Sequence, residues 1–287
     1  MKFGIIFANT GPFSDGAAAA TMARAAEEAG FESLWTVEHV VVPSGYESTY
    51  PYDPSGKMPG PEESPIPDPL VWLSFVAGAT STIRLATGIL IVPQRNPVVL
   101  AKEVATLDHL SGGRMELGIG VGWLEEEFDA IGVPFSERGK RTDDNIAAMR
   151  ALWSGDKASH HSQFTDFDAC ISLPNPKNGS VPVHVGGHTD AAARRAGTLG
   201  DGFFPFGVAP ERLRALLEIV ARAADAAGRD AAEIEVTCVA PAELQAVEAL
   251  VAEGADRIAI FAPAADLDSL GDFLVDLRER VIDPLGG

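Results

Sequence analysis

Short apolar runs recur along the chain, and each is followed by a glycine, proline or polar loop and then by a stretch with helical spacing. The runs predict buried strands, and the Ala- and Leu-rich stretches predict helices that pack on them. The predicted strands cover residues 3–8, 33–37, 84–92, 115–121, 182–185, 202–205, 234–238 and 257–261. The predicted helices cover residues 16–29, 68–79, 97–110, 136–153, 190–199, 210–227, 242–253 and 266–281.

Strands and helices that alternate in this way require a mainly parallel sheet covered by helices. Eight such units in 287 residues suit a closed barrel. We therefore predict an α/β protein in which residues 1–287 form one domain, a single (β/α)8 TIM barrel. An open, doubly wound sheet is the alternative.

Two segments are longer than a barrel needs. Residues 43–69 follow the second predicted strand and contain eight prolines and the three tyrosines of the chain, Tyr46, Tyr50 and Tyr52. This proline density excludes a regular helix, and the segment is either a solvated loop or a lid over the catalytic face. Residues 158–181 alternate polar and aromatic side chains, which predicts a small hairpin inserted before the fifth strand.

The net charge limits the kinds of molecule that the protein can bind. The chain has 41 acidic and 22 basic residues, a formal net charge of -19, so we expect no nucleic acid partner. An anionic ligand would need a local pocket of backbone amides and basic groups. The sequence has no membrane-spanning apolar stretch and no obvious export signal, and its two cysteines suit a reducing compartment. We therefore expect a cytoplasmic protein.

The pair Glu38-His39 ends the second predicted strand, where a parallel barrel presents side chains to its catalytic face. An imidazole there can exchange a proton near neutral pH, and a neighbouring carboxylate can fix its tautomer or charge. The alternative is a histidine that caps the end of a strand. We take His39 and Glu38 as the catalytic candidates.

Glycines interrupt two other predicted strands. Gly88 lies between Thr87 and Ile89 in the third strand. The fourth strand ends with Gly120 and Val121, and Gly122 and Trp123 follow it. Glycines inside strands allow close approach of a flat ligand or of another backbone, and both interpretations remain open. The glycine-rich end of the fourth strand lacks the last glycine and the later acidic residue of a dinucleotide-binding fingerprint.

A turn after the fifth predicted strand offers an anion site. The segment Gly186-Gly187-His188-Thr189 opens a predicted helix, whose amide groups, with a hydroxyl and an imidazole, can bind a phosphate. An ordinary Thr or Asp helix cap fits equally well. His160-His161 lacks partners at metal-ligand spacing, so we expect no metal.

Taken together, these residues resemble the luciferase-like flavin-dependent oxidoreductase and monooxygenase family, especially its branch that uses the deazaflavin coenzyme F-420. The resemblance rests on an ordered set of motifs in residues 33–39, 87–89, 93–97, 102–108, 111–114, 118–123, 186–189 and 200–202. It implies a (β/α)8 barrel with the flavin at the carboxyl mouth, its phosphate near the diglycine turn, and a homodimer. It also implies an active-site histidine at His39, an acidic neighbour at Glu38, and a bulge, often with a cis peptide, at Gly88-Ile89.

One departure concerns the substrate. Sugar-phosphate dehydrogenases of this branch place a glutamate just after the fourth strand, where this chain has Trp123. The resemblance implies an oxidoreductase that moves hydride between C5 of coenzyme F-420 and an unidentified small organic substrate. A reduced-FMN-dependent, oxygen-using monooxygenase is the nearest alternative, and a non-catalytic flavin-binding barrel is an alternative from another class.

Overall fold

The structure is a computed structural model that describes residues 1–262 and 267–286. Its strands are β1 (Lys2–Ile6), β2 (Ser33–Thr36), β3 (Arg84–Thr87), β4 (Leu90–Ile91), β5 (Met115–Gly120), β6 (Ala158–His161), β7 (Asp166–Cys170), β8 (Val183–Gly186), β9 (Gly202–Phe204), β10 (Glu235–Ala240) and β11 (Arg257–Phe261). Its α-helices are α1 (Gly16–Glu28), α2 (Pro69–Ala77), α3 (Pro97–Ser111), α4 (Glu125–Ile131), α5 (Arg138–Trp153), α6 (Asp190–Leu199), α7 (Pro210–Ala226), α8 (Leu244–Ala252) and α9 (Leu267–Leu277). Residue 266, where the last predicted helix begins, lies outside the described residues.

The strands close into the predicted (β/α)8 TIM barrel. The order is β3-β2-β1-β11-β10-β9-β8-β5, and β3 also pairs with β5, which completes the ring. All pairings within this ring are parallel. The antiparallel pair β6 and β7 forms the hairpin predicted before the fifth barrel strand.

The third predicted strand differs from its expected bounds. It is divided into β3 and β4, and β4 pairs only with β5. The break falls at Gly88-Ile89, and this peptide bond is cis, as the resemblance implied. The short helix α4 was not among the predicted helices, because residues 125–131 give it fewer than two full turns and no clear apolar period.

An apolar layer fills the barrel below its carboxyl mouth. Its fully buried members are Ile6, Trp35, Ala86, Phe204 and Ala259. Trp35 and Phe204 stack with ring centroids 5.0 Å apart and an interplanar angle of 9°. The partly buried residues that pack against this layer are Phe7, Ile89, Phe206 and Val239.

An ion network occupies the opposite end of the barrel. The guanidinium of Arg257 is fully buried, and its Nη1 atom lies 2.9 Å from Glu116 Oε2 and 2.7 Å from Glu235 Oε1. Arg257 also binds Glu32, and His184 Nε2 lies 3.2 Å from Glu116 Oε2. Burial alone would raise the pKa of Glu116, but His184 and Arg257 hold it well below its usual range.

Three donor atoms of this network, from Glu116, His184 and Glu235, lie within 4.8 Å of one another, as the ligands of a metal ion would. The guanidinium of Arg257 pairs with both carboxylates and so supplies the positive charge itself. The arrangement is therefore a structural ion network. In residues 1–262 and 267–286, no helix combines the length and the apolar character that crossing a membrane requires.

Candidate active site

The predicted site residues lie at or just after the ends of β2, β3, β5 and β8, which all face the carboxyl mouth of the barrel. Parallel strands bring these ends together although the residues are far apart in the sequence. The histidine after β2, the divided third strand, the glycine-rich end of β5 and the diglycine turn after β8 thus surround one opening.

His39 is held by a carboxylate from α4. Its Nδ1 atom lies 3.3 Å from Glu127 Oε2, and the side chains of His39 and Glu127 are 11% and 2% exposed. The other oxygen of Glu127 accepts hydrogen bonds from the amides of Val40 at 2.6 Å and Val41 at 3.2 Å. Burial alone would raise the pKa of Glu127, but His39 and the amide of Val41 hold it below its usual value. Glu127 is therefore an anion that orients the imidazole.

Glu38, the residue expected to fix His39, points elsewhere. Its carboxylate accepts hydrogen bonds from Arg95 Nε at 3.1 Å, from Arg95 Nη2 and from the amide of Ile91. Arg95 continues to Asp68 at 2.7 Å. Burial raises the pKa of Glu38, while Arg95 opposes that rise. The carboxylate in contact with His39 is thus Glu127, and Glu38 fixes the segment after β4.

A cavity of about 320 Å³ lies beside His39. Its polar wall contains Glu38, His39, Gln94, Arg95 and Asp68, and its apolar wall contains Val40, Ile66, Pro69 and Ile131. The cavity therefore gives a small molecule a route to the imidazole from the side of α4. Helix α2 begins at Pro69 in this wall. Asp68 caps the helix by accepting hydrogen bonds from the amides of Leu70 and Val71 at 2.9 Å and 3.0 Å.

The long loop of residues 43–69 is fastened to the start of α4. Glu126 Oε1 accepts from the amides of Glu47 at 2.6 Å and Ser48 at 3.0 Å, and Glu126 Oε2 accepts from the Ser48 hydroxyl at 2.6 Å. The Ser48 hydroxyl leads the contacts that lower the pKa of Glu126 to about 2. Buried Tyr46 closes the loop on itself by accepting from the amide of Met58 at 2.8 Å.

A chain of aromatic rings carries this loop across the mouth. Trp123 contacts His39 edge-on at 5.9 Å between centroids and Tyr50 at 5.1 Å. Tyr50 contacts Tyr52 at 5.5 Å, and Tyr52 contacts His188 at 4.9 Å. Burial raises the pKa of Tyr52 to about 12, so the phenol stays neutral. The tyrosine-bearing loop therefore bridges the end of β2 and the turn after β8, as a lid does.

The glycines of β5 make room for neighbouring strands. A Cβ on Gly118 would lie 1.8 Å from the carbonyl oxygen of Thr87, and one on Gly120 would lie 2.3 Å from Ile89 Cδ1. A Cβ on Gly186 would likewise lie 2.6 Å from Ile89 Cγ2. The Thr87 hydroxyl donates to the carbonyl of Gly118 at 2.6 Å. These contacts favour the packing interpretation for β5, and they seat Ile89 in the floor of the mouth.

The turn after β8 has the features of an anion site and of a helix cap. Gly187 has φ +116°, a conformation that favours glycine, and the Thr189 hydroxyl caps α6 by accepting from the amide of Ala192 at 3.2 Å. His188 Nδ1 is buried without a hydrogen-bond partner among the described residues. Burial and the charge of Arg212 lower the pKa of His188. A neutral ring with an unpaired nitrogen at a helix start fits a phosphate group.

Sequence reasoning missed Glu127 and three aromatic residues. Glu127 stands 88 positions after its partner, and the acids at the start of α4 also suit the helix dipole. Phe7, Phe206 and Phe261 follow or end β1, β9 and β11. An aromatic residue at the end of several strands is the signal that could have identified them.

A closed (β/α)8 barrel with a histidine, an apolar floor and a diglycine turn at its mouth suits an oxidoreductase that uses a flavin-type cofactor. The chain belongs to the luciferase-like monooxygenase family, whose model matches residues 1–277. It is 35% identical over 208 residues to an uncharacterised protein of Mycobacterium tuberculosis, a match that spans 72% of each chain.

Two reductases are also similar to this chain. The 5,10-methylenetetrahydromethanopterin reductase of Methanolobus tindarius is 26% identical over 284 residues, which cover 99% of this chain and 76% of the reductase. The solved structure of the coenzyme F-420-dependent tetrahydromethanopterin reductase from Methanopyrus kandleri superposes with a TM-score of 0.76 at 17% identity, covering 99% of both chains. At that identity the superposition supports the fold alone.

Proposed function

We propose that the protein is a coenzyme F-420-dependent oxidoreductase that moves hydride between the deazaflavin C5 and a small organic substrate. The observation that carries the proposal is the buried pair of His39 and Glu127 at the mouth of a barrel of the luciferase-like family. The resemblance of the sequence motifs to the deazaflavin-using branch favours this cofactor over FMN, and the 26% identity to a 5,10-methylenetetrahydromethanopterin reductase favours hydride transfer.

The residues at the mouth have different roles in the proposed reaction. When bound, coenzyme F-420 accepts or supplies a hydride at C5. In the direction of oxidation, His39 takes the proton that leaves the substrate heteroatom as the substrate carbon loses hydride, and in reduction it returns that proton. Glu127 holds the imidazole in place, and the loop with Tyr50 and Tyr52 excludes water.

The cofactor would lie along the ends of the third, fourth and fifth barrel strands. Ile89 supplies the apolar floor, and the buried Nδ1 atom of His188 together with the start of α6 suits the phosphate. Tyr52 covers His188, so the loop must move for a phosphate to reach it. The proposed cofactor-binding residues are Thr87, Gly88, Ile89, Gly120, Val121, Gly122, Trp123, Gly186, Gly187, His188 and Thr189.

The test is a pair of binding titrations, with coenzyme F-420 and with FMN, on the purified protein and on His188→Ala. We expect selective binding of coenzyme F-420, weakened about tenfold or more in His188→Ala, in line with loss of one charge-assisted hydrogen bond. The matched control is His160→Ala, on the hairpin, which should bind as the parent does. Selective FMN binding with oxygen uptake would establish the monooxygenase instead, and binding of neither would refute the cofactor assignment.

The role of His39 has its own test. His39→Ala should keep the cofactor affinity and lose most of the turnover, since proton transfer by a positioned group contributes roughly 100-fold or more. Full turnover in His39→Ala would refute that role. Cofactor binding without turnover on any compound in a substrate screen would favour the non-catalytic flavin-binding barrel.

A further inference from the structure

Three phenylalanines form a continuous aromatic surface on one side of the mouth, which we call the aromatic wall. Phe7 follows β1, Phe206 follows β9 by two residues, and Phe261 ends β11. The rings of Phe7 and Phe261 stack at 5.6 Å with an angle of 21°, and Phe206 meets them edge-on at 6.3 Å and 6.4 Å. Three strand ends therefore contribute to one apolar surface.

The backbone of Phe7 is unusual. Its φ is +59°, in the left-handed region that bulky residues rarely adopt. The amide and the hydroxyl of Thr10 hold this conformation by donating to the Phe7 carbonyl at 3.2 Å and 2.9 Å. Backbone strain of this kind concentrates at ligand sites. Here it accompanies the stacking of the Phe7 ring on Phe261.

The aromatic wall faces the proposed cofactor segment. In the strand order of the barrel, β11 is four positions from β5 in either direction, so the two strands are diametrically opposite. Phe261 stands at the end of β11, and Trp123 follows the end of β5. A molecule between them would have the aromatic wall on one side and the cofactor residues on the other.

The chemistry of the wall selects its ligand. Phe261 is 45% exposed, and Phe7 and Phe206 are partly exposed. Single exposed apolar residues are common, but a contiguous group of them on a catalytic face marks a ligand surface. Phenylalanine rings offer dispersion and stacking and no group that neutralises a charge. The net charge of -19 further disfavours an anion.

We propose that the aromatic wall binds the organic substrate, and that this substrate is uncharged and has an apolar, ring-sized body. That the ligand is a substrate rests on the proposed function. The binding surface itself does not depend on which cofactor the protein uses, so the two are tested separately.

The experiment uses a matched pair of probes, neutral 2-acetylnaphthalene and anionic 2-naphthoate. Binding of each is measured by saturation-transfer NMR titration, with and without saturating coenzyme F-420. The parent protein should prefer 2-acetylnaphthalene. Phe261→Arg should weaken that probe about tenfold, the loss of one aromatic contact, and reverse the preference toward 2-naphthoate. Leu110→Arg, at a 78% exposed position on α3, adds the same charge elsewhere and should change neither affinity.

The outcomes separate the wall from the cofactor site. An unchanged affinity for coenzyme F-420 in Phe261→Arg, together with the reversed probe preference, supports the proposal. A loss of coenzyme affinity with no change in probe preference would assign the wall to the cofactor and overturn it. Equal binding of both probes, or no effect of Phe206→Ala and Phe261→Arg on either probe, would also overturn it. Failure of the parent to bind coenzyme F-420 would refute the proposed function and leave the probe comparison valid.

Discussion

Two glycines on the same strand should respond differently to the same substitution. Gly118 and Gly120 both lie in β5, and a Cβ on either would be closer to its neighbour than the 3.0 Å limit that real Cβ atoms respect. At Gly118 the neighbour is a backbone oxygen of β3, 1.8 Å away. At Gly120 it is the terminal methyl of Ile89, 2.3 Å away. A side-chain methyl can rotate, whereas a strand paired on both sides cannot move without breaking its pairing.

The magnitudes follow from these contacts. Gly118→Ala requires Thr87 to move by at least about 1.2 Å. That movement removes the hydroxyl bond to the Gly118 carbonyl, about 1 kcal/mol, and adds overpacking of about 1–3 kcal/mol. We expect a loss of about 3 kcal/mol or more, a large share of a stability of about 5–15 kcal/mol. Gly120→Ala should cost about 1–2 kcal/mol and turn Ile89 into the mouth.

The assay combines urea unfolding with the coenzyme F-420 titration. Gly118→Ala should fold poorly, while Gly120→Ala should fold and bind the coenzyme at least about tenfold more weakly. The control is Gly271→Ala in α9, where the new methyl meets no atom of the described residues within 4 Å and should stabilise the helix by about 0.5–1 kcal/mol. A Gly118→Ala protein as stable as Gly120→Ala, or a Gly120→Ala protein with parental coenzyme affinity, would refute the reasoning.

Three further predictions concern carboxylates. Glu127→Gln should lower the unfolding free energy by about 1–2 kcal/mol and shift the ring resonances of His39 in NMR spectra, because a neutral amide is a weaker acceptor; unchanged ring resonances would show that Glu127 does not orient His39. Glu27 accepts from Ser81, Thr82 and Ile83, and although burial opposes it, these bonds lower its pKa from 4.5 to about 2. Its stabilisation is therefore present above pH 4.5 and is lost as the pH falls toward 2; relative to Glu27→Gln, the parent should lose about 1 kcal/mol of unfolding free energy over that range, after allowance for solvent screening. Glu126→Gln should speed tryptic cleavage after Lys57, the only basic residue of the loop, and the exposed neighbour Glu125→Gln should not.

The sequence predicted the barrel because the alternation of apolar runs is a repeated, local signal. Eight strand positions, the hairpin of β6 and β7 and the irregular proline-rich loop all follow from patterns within about ten residues. The division of the third strand at Gly88 was implied by the family resemblance and not by periodicity. The boundary between β3 and β4 depends on what β5 places opposite them.

The partners of the site residues could not be predicted in the same way. His39 and Glu38 were identified by their position at a strand end, but which carboxylate meets the imidazole depends on where α4 packs. The interior of β5 is a second example, since only the tertiary structure shows that Ile89 and Thr87 occupy the space that its glycines leave. The local sequence pattern thus predicts where a site lies. The contacts of its residues depend on how distant parts of the chain pack together.

The ion network around Arg257 has a kinetic consequence. Together with the buried layer of Trp35 and Phe204, it closes the barrel at the end opposite to the mouth. A cofactor and a substrate that react at the mouth, as proposed, must then both enter from its carboxyl face, beneath Tyr50 and Tyr52 or through the cavity beside His39. Because the other end is closed, the molecule that lies deeper should enter first and leave last, so steady-state rates should follow a compulsory order of addition.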